Sequence, residues 1–344
     1  MAVDIKSAFQ ELASDERLIQ STGEIIKNKV FYENLEDFFT IIPGIKGGQQ
    51  VAAMKGIEYI TKKDDGCGGA FLSPDFPAIS QKWEPQLAKV GLKYCYTDLM
   101  NWFTQWGLKN GYAIKDLSEI EFILFIEEFV SDAIKADMQR LVLLGNADIA
   151  TDNVLQSAPM AEHYDVVKKG LVETLKYFKT IGALSENFVD LTQNTAMDPF
   201  DFSNDYAVKL YRQLTRELDF DEGQILSSAR LHDNYEDFFE NLGQIESQAG
   251  RIQNGQGRLS RSGVPIIPTK GYDRWRKRDF VAAYTPHFAL HTAKSNLLVG
   301  VDDERSIEDI TFEYVGGSDE NFYIKANYMI DFKIPDPYSL KAAI

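Results

Sequence analysis

The sequence predicts an α+β fold, on three observations. Segments rich in β-forming residues precede one long helical pattern, helices and strands then mix, and a run of strands follows; a regular βαβ alternation does not give that order. The chain has 344 residues, 44% of them hydrophobic and 26% charged. A chain of that size buries about three quarters of its unfolded surface, as one large domain or two joined ones.

Residues 1–40 hold helix-like pieces at Ile5 to Leu12 and Arg17 to Lys27, then the aromatic cluster Phe31, Tyr32, Phe38 and Phe39. They read as an arm that packs on something else. Residues 41–97 read as strands, with Val90, Leu92, Tyr94 and Tyr96 on one face. Between the strands "KKDDGCGGAFLSPDFP" is a Gly, Pro and Asp-rich loop. The result is an extended hairpin too thin to build a core, which needs a neighbouring surface.

Ser118 and Glu121 have capping-box spacing. Ile120, Ile123, Ile126, Val130, Ile134, Met138 and Leu141 then recur at helical spacing, and Gly145-Asn146 stops the run. A helix from 119 to 144 spans about 39 Å. After it, "MAEHYDVVKKGLVETLKYFKTIG" and "NDYAVKLYRQLTREL" read as helices, the second capped by Ser203. "QILSSARL" reads as a buried strand and "NYEDFFENLG" as a short helix. "GRIQNGQGRLSRSGVPIIP" reads as a hairpin turning at Asn254-Gly255. The proline-marked strand then leads into a basic loop. Near 322–333, Phe322, Ile324, Ala326, Tyr328, Ile330 and Phe332 alternate with a second, unlike face.

The formal net charge is -16, from 52 acidic and 36 basic residues. Such a balance opposes general binding to phosphate backbones. Charge is segregated, however. Residues 251–278 hold eight basic side chains against Asp273 alone, a local +7 that leaves -23 on the rest. No segment approaches the roughly 18 apolar residues of a membrane span, and no secretory signal core is evident, so a cytoplasmic origin is the default. Cys67 and Cys95 have no Cys or His partners nearby, which supports neither a zinc framework nor a disulfide scaffold.

Chemistry-bearing motifs are sparse. His287 and His291 are four apart but lack an HExxH context, and as a strand they share one face with Ala289. His163 reads as a solvated or capping residue. Carboxylate pairs at Asp64-Asp65, Glu127-Glu128, Asp302-Asp303 and Asp319-Glu320 are adjacent in sequence, whereas acid/base catalysis needs convergence across a cleft; Glu127-Glu128 reads as a solvated helix edge. GxSxG, a Walker loop and GxGxxG before a helix are all absent. Trp102, Phe103 and Trp106 read as core or interface anchors. No catalytic, cofactor-binding or metal-ligating residue is assigned.

The landmark order "QILSSARLHDNYEDFF", "GVPIIP" and "AKSNLLVGVDD", with the hairpin and long helix before it, resembles the Hong Kong 97-type major capsid proteins of tailed bacteriophages. The resemblance implies an N-terminal arm over 1–40 and an E-loop hairpin with P-domain over 41–153, the E-loop about 46–94 and the spine helix 118–144. It further implies an A-domain over 154–264 and a return to the P-domain sheet over 265–344. By the same resemblance the chain is a non-catalytic subunit that assembles as pentamers and hexamers into an icosahedral shell around phage double-stranded DNA, without sequence-specific binding and without a membrane. Portal and decoration proteins are the implied partners, and the virion capsid, assembled in the host cytoplasm, is the implied location. No coiled-coil scaffolding segment fits before residue 40, which favours a separate scaffolding protein. Encapsulin-type compartments and vertex proteins share the architecture; from other classes, a hydrolase with an acidic cleft and a nucleic-acid binder using 251–278 are the alternatives. The candidates for inter-subunit contact are Lys62 and Lys63 at the hairpin tip and Lys270, Arg274, Arg276, Lys277 and Arg278.

Overall fold

The computed structural model describes residue 25 and residues 38–54, 78–112, 119–184, 187–194, 201–216, 223–241, 260–261, 263–281, 284, 287–301, 311–315 and 321–344. In chain order come β1 (Thr40–Pro43), β2 (Gln50–Met54), β3 (Ala78–Lys82), β4 (Gln86–Cys95), α1 (Tyr96–Lys109) and α2 (Glu119–Leu144). A 3-10 turn (Ala158–His163) precedes α3 (Leu171–Thr180), β5 (Phe188–Val189) and α4 (Tyr206–Leu214). Next are β6 (Gly223–Ser228), α5 (Ala229–Asn241), β7 (Ser260–Arg261), β8 (Val264–Thr269) and α6 (Lys270–Asp279). The order ends with β9 (Ala289–Ala293), β10 (Leu298–Val301), β11 (Thr311–Val315), β12 (Asn321–Lys333) and β13 (Leu340–Ala343).

Two sheets organise the described residues. The first runs β1-β10-β12-β11, with β4 also paired to β12. Alternation explains it: Phe322, Ile324, Ala326, Tyr328, Ile330 and Phe332 are all buried, while Lys325 on the opposite face is exposed. The second runs β5-β13-β9-β6-β8-β7 and presents two apolar faces. Leu226, Ile267, Leu290 and Ala342 point into the core shared with α2 and the first sheet. Their sequence neighbours Ile225, Ile266, Ala289 and Ala343 join a second cluster with Leu210, Tyr211, Leu214, Leu231 and Tyr235 of α4 and α5. The expected A-domain boundary at 264/265 falls inside β8, within this sheet.

The long helix forms where its spacing predicts, and Phe122, Ile126, Val130, Ile134, Met138 and Leu141 are buried along it. Ser118 lies outside the described residues. Gly145 ends the helix at a close crossing, where the Gly170 amide donates to the Gly145 carbonyl at 2.7 Å. A Cβ at Gly170 would stand 2.7 Å from the Gly145 nitrogen and 2.8 Å from the Val142 oxygen.

Several sequence expectations change. β4 belongs to the first sheet, held by ten residue pairs to β12, so the described part of the hairpin is β2 with β3 alone. Its tip, with Lys62, Lys63 and Cys67, lies outside the described residues. Tyr96 opens α1 instead of extending β4. The 160–182 run is broken into a 3-10 turn and α3, because the chain must cross Gly145 at Gly170. Ser203 caps with its carbonyl, which accepts the Tyr206 amide, and Asp205 occupies the N-cap position. "QILSSARL" is a strand only to Ser228. The Asn254-Gly255 turn lies outside the described residues; the pairing seen is β7 antiparallel to β8, with Gly263 at φ +86° before β8. Glu127 is buried, not solvated, on the core side of α2. The basic stretch after β8 is a helix, not a loop.

Candidate subunit interface

Helix α6 sorts its charges by the roughly 100° turn per residue. Tyr272, Asp273, Trp275, Arg276 and Asp279 face inward and are buried. Lys270, Arg274, Lys277 and Arg278 lie on the opposite arc and are exposed. Gly271 lets the helix start close to its own Trp275 ring, which a Cβ there would meet at 2.6 Å.

The five cations expected at the surface therefore divide. Arg276 is only 3% exposed and belongs to the interior. Arg278 is spent locally: its Nε and Nη2 donate to Asp279 at 2.6 and 2.9 Å, and the Tyr164 hydroxyl donates to the same carboxylate at 2.5 Å. Burial pushes the Asp279 carboxyl up, but the guanidinium fork and the hydroxyl outweigh it and its pKa is lowered. Lys270, Arg274 and Lys277 make no ion pair among the described residues, although Arg274 lies 5.9 Å from the Trp275 ring.

A further cation joins them through strand register. β6 and β8 are parallel, with Ser228 opposite Thr269. Both strands run directly into helices, so the N-termini of α5 and α6 emerge side by side and Arg230 arrives beside Lys270. Nothing in the local sequence around Arg230 marks this; only the pairing does. Arg230, Lys270, Arg274, Lys277 and Arg278, with Asp233 and Asp273, line a concavity of about 720 Å³.

Asp273 holds the two helices together at its floor. Its Oδ2 accepts the backbone amides of Ala229 at 2.7 Å and Arg230 at 3.3 Å, capping α5 from another element. Burial pushes its pKa up to about 6, against the opposing pull of these amides and of Arg276 and Arg230. Ser228, His287 and Asp273 are near neighbours, yet Ser228 Oγ at 3.1 Å and Asp273 Oδ1 at 3.8 Å both address His287 Nδ1. A nucleophile relay needs one ring nitrogen for each partner and an open nucleophile, whereas Ser228 and His287 are fully buried.

His232, Asp233 and Glu236 bring donor atoms within 4.8 Å of one another, a cluster made by helical spacing on α5. Burial lowers the His232 pKa and raises that of Asp233. Lys270 acts on both residues and Arg230 on Asp233, so a dication would meet two fixed positive charges. His291 turns its Nδ1 to the Leu214 carbonyl at 3.0 Å. Four residues along an extended chain separate it from His287 by about 13 Å, too far to share an ion. Exposed His163 ends the 3-10 turn, and exposed Cys95 ends β4. Phe103 is buried between α1 and α2 against Phe122 and Phe125, while Trp102 packs against Tyr94 and Phe129 and Trp106 donates to Glu128 at 2.6 Å.

No protein-family model matches the chain, and no curated protein matches it in sequence. Solved structures do. A chain of the satellite phage P4 procapsid, whose structure includes a size determination (Sid) protein, superposes with TM-score 0.50 at 12% identity, over 95% of this chain and 97% of that one. The chain shares the fold of that procapsid chain. A capsid chain of cyanophage P-SCSP1u is similar at TM-score 0.45 and 10% identity, covering 90% of this chain and 86% of that one. A virus-like particle from Pyrococcus furiosus is similar at TM-score 0.40 and 13% identity, covering 95% and 98%. Among the described residues, no helix is long and apolar enough to cross a membrane.

Proposed function

We propose that the chain is a structural shell subunit, the major capsid protein of a tailed phage, which self-assembles as pentamers and hexamers into an icosahedral container for double-stranded DNA. The observation that carries this reading is the end-to-end match with a procapsid chain, which leaves only small parts of either chain unaccounted for. Two further features support it. Among the described side chains of β2 and β3, Val51 is partly buried against a small cluster of Ile45, Trp83 and Leu298, and a two-stranded ribbon gains stability by lying on another surface. The net charge of -16 suits a wall that must not hold nucleic acid tightly.

In this reading, residues 1–40, the hairpin tip with Lys62 and Lys63, and α6 make the contacts between copies. A separate scaffolding protein sets the shell size, and portal and decoration proteins complete the particle in the host cytoplasm. Size-exclusion chromatography and negative-stain electron microscopy of the full chain, with and without its scaffolding partner, test it. Closed particles or capsomers are expected. A chain that stays monomeric at every concentration would overturn the reading, and uniform, correctly sized shells from the chain alone would remove the scaffolding step.

A further inference from the structure

The concavity at the carboxyl ends of β6 and β8 answers to a ligand chemistry that the fold does not dictate. Parallel strands deliver two helix N-termini to one crevice, and although Asp273 takes the first amides of α5, the exposed cations around the crevice leave it positive. Here α5 and α6 both start there, and Lys270, Arg274 and Lys277 repeat at i, i+4 and i+7 along about 10 Å of helix. Arg230 stands on the opposite wall. The acids present are already engaged: Asp273 caps α5, and the half-buried Asp233 is held among Arg230, His232 and Lys270.

We infer that this concavity is an anion-binding dock for an acidic segment of a second copy of the chain. The occupant follows from charge. With +7 on residues 251–278 and -23 elsewhere, a neighbouring copy offers carboxylates at high local concentration. A DNA duplex would instead meet the repulsion of the whole acidic molecule around one small patch. Complementary charge of this kind fixes the register of the contact more than it adds affinity. The inference rests on the shell reading and specifies one of its seams.

The test uses the full chain. The triple variant Lys270→Glu, Arg274→Glu, Lys277→Glu leaves buried Arg276 and the Arg278–Asp279 pair intact. It is expected to keep its circular dichroism spectrum and to raise the concentration at which particles form at least tenfold. A neutral triple variant to Gln serves if the reversal fails to fold, and is expected to shift that concentration by a smaller factor. In assemblies of mixed isotope-labelled and unlabelled wild-type chains, a zero-length carbodiimide should join Lys270 or Lys277 to a carboxylate of the other label. Wild-type-like assembly of folded variants, with no such link, overturns the dock and leaves the shell reading standing. A wild-type chain that never associates overturns both. Steeply salt-dependent binding of a 30-base-pair duplex, lost in the reversal variant, would assign the concavity to nucleic acid instead.

Discussion

Asp273 shows how one side chain can be both structural clamp and titrating group. Its pKa, about 6 in the fold, lies above the ordinary carboxylate value, so the native state holds a proton more tightly than the unfolded chain. Stability attributable to this proton is fully present below about pH 3.8, the ordinary carboxylate value, and is lost as pH rises through about 6. Asp273→Asn keeps an oxygen for the Ala229 and Arg230 amides and removes the titration. Its stability relative to wild type should therefore increase between about pH 3 and pH 7, by on the order of 3 kcal/mol, in denaturant titrations at a pH series. A difference constant with pH would show that Asp273 titrates normally. Asp279 works in the opposite direction, since its lowered pKa contributes stability that disappears as the medium turns acid. None of this was readable from sequence: Asp273 appeared only as the lone acid in a basic run, and its role depends on α5, 44 positions away from it in the chain.

At the scale of elements, sequence patterns did best where a single face is buried. The heptad-like spacing on α2 and the two-residue alternation on β12 translate directly into buried residues. They did worst where tertiary geometry ends an element. Only the approach of Gly145 to Gly170 explains why the 160–182 pattern breaks, and only the Asp273 cap explains why Ala229 begins a helix. The crossing gives a sharp prediction. Gly170→Ala forces a methyl group against backbone atoms that cannot move independently, and should cost about 1–3 kcal/mol in denaturant unfolding. Gly47→Ala, with nothing within 4 Å of its Cβ, is the matched control and should leave stability within about 0.5 kcal/mol. Equal stability of the two variants would mean that the α2 terminus has room to adjust.

For the whole molecule, sequence conveyed the architecture through the order of its parts, while sheet membership stayed hidden. β1 pairs with β10 across more than 250 residues, and no local pattern announces such a partner. The surface chemistry was half visible: the basic run stood out, but its division into buried Arg276, locally paired Arg278 and outward Lys270, Arg274 and Lys277 required the helix. If the chain assembles as proposed, assembly should register in bulk stability by mass action, since association with the native state alone opposes unfolding. Purified particles should melt at higher temperature than subunits dissociated from them, with the subunit melting point rising with concentration. Indistinguishable melting curves would count against an obligate assembly.

β12 also has unequal neighbours along its length. One of its flanks is covered by β4 from Asn321 to Ile330. The other is shared end to end, by β11 over Asn321 to Lys325 and by β10 over Ile330 to Lys333. Among the described residues, Ala326 to Met329 thus have a strand on one flank only, a lap joint in an otherwise three-strand plate. Flexural stiffness is lowest at such a joint. In the proposed shell, where copies would occupy both five-fold and six-fold positions, a difference in curvature would be taken up there first.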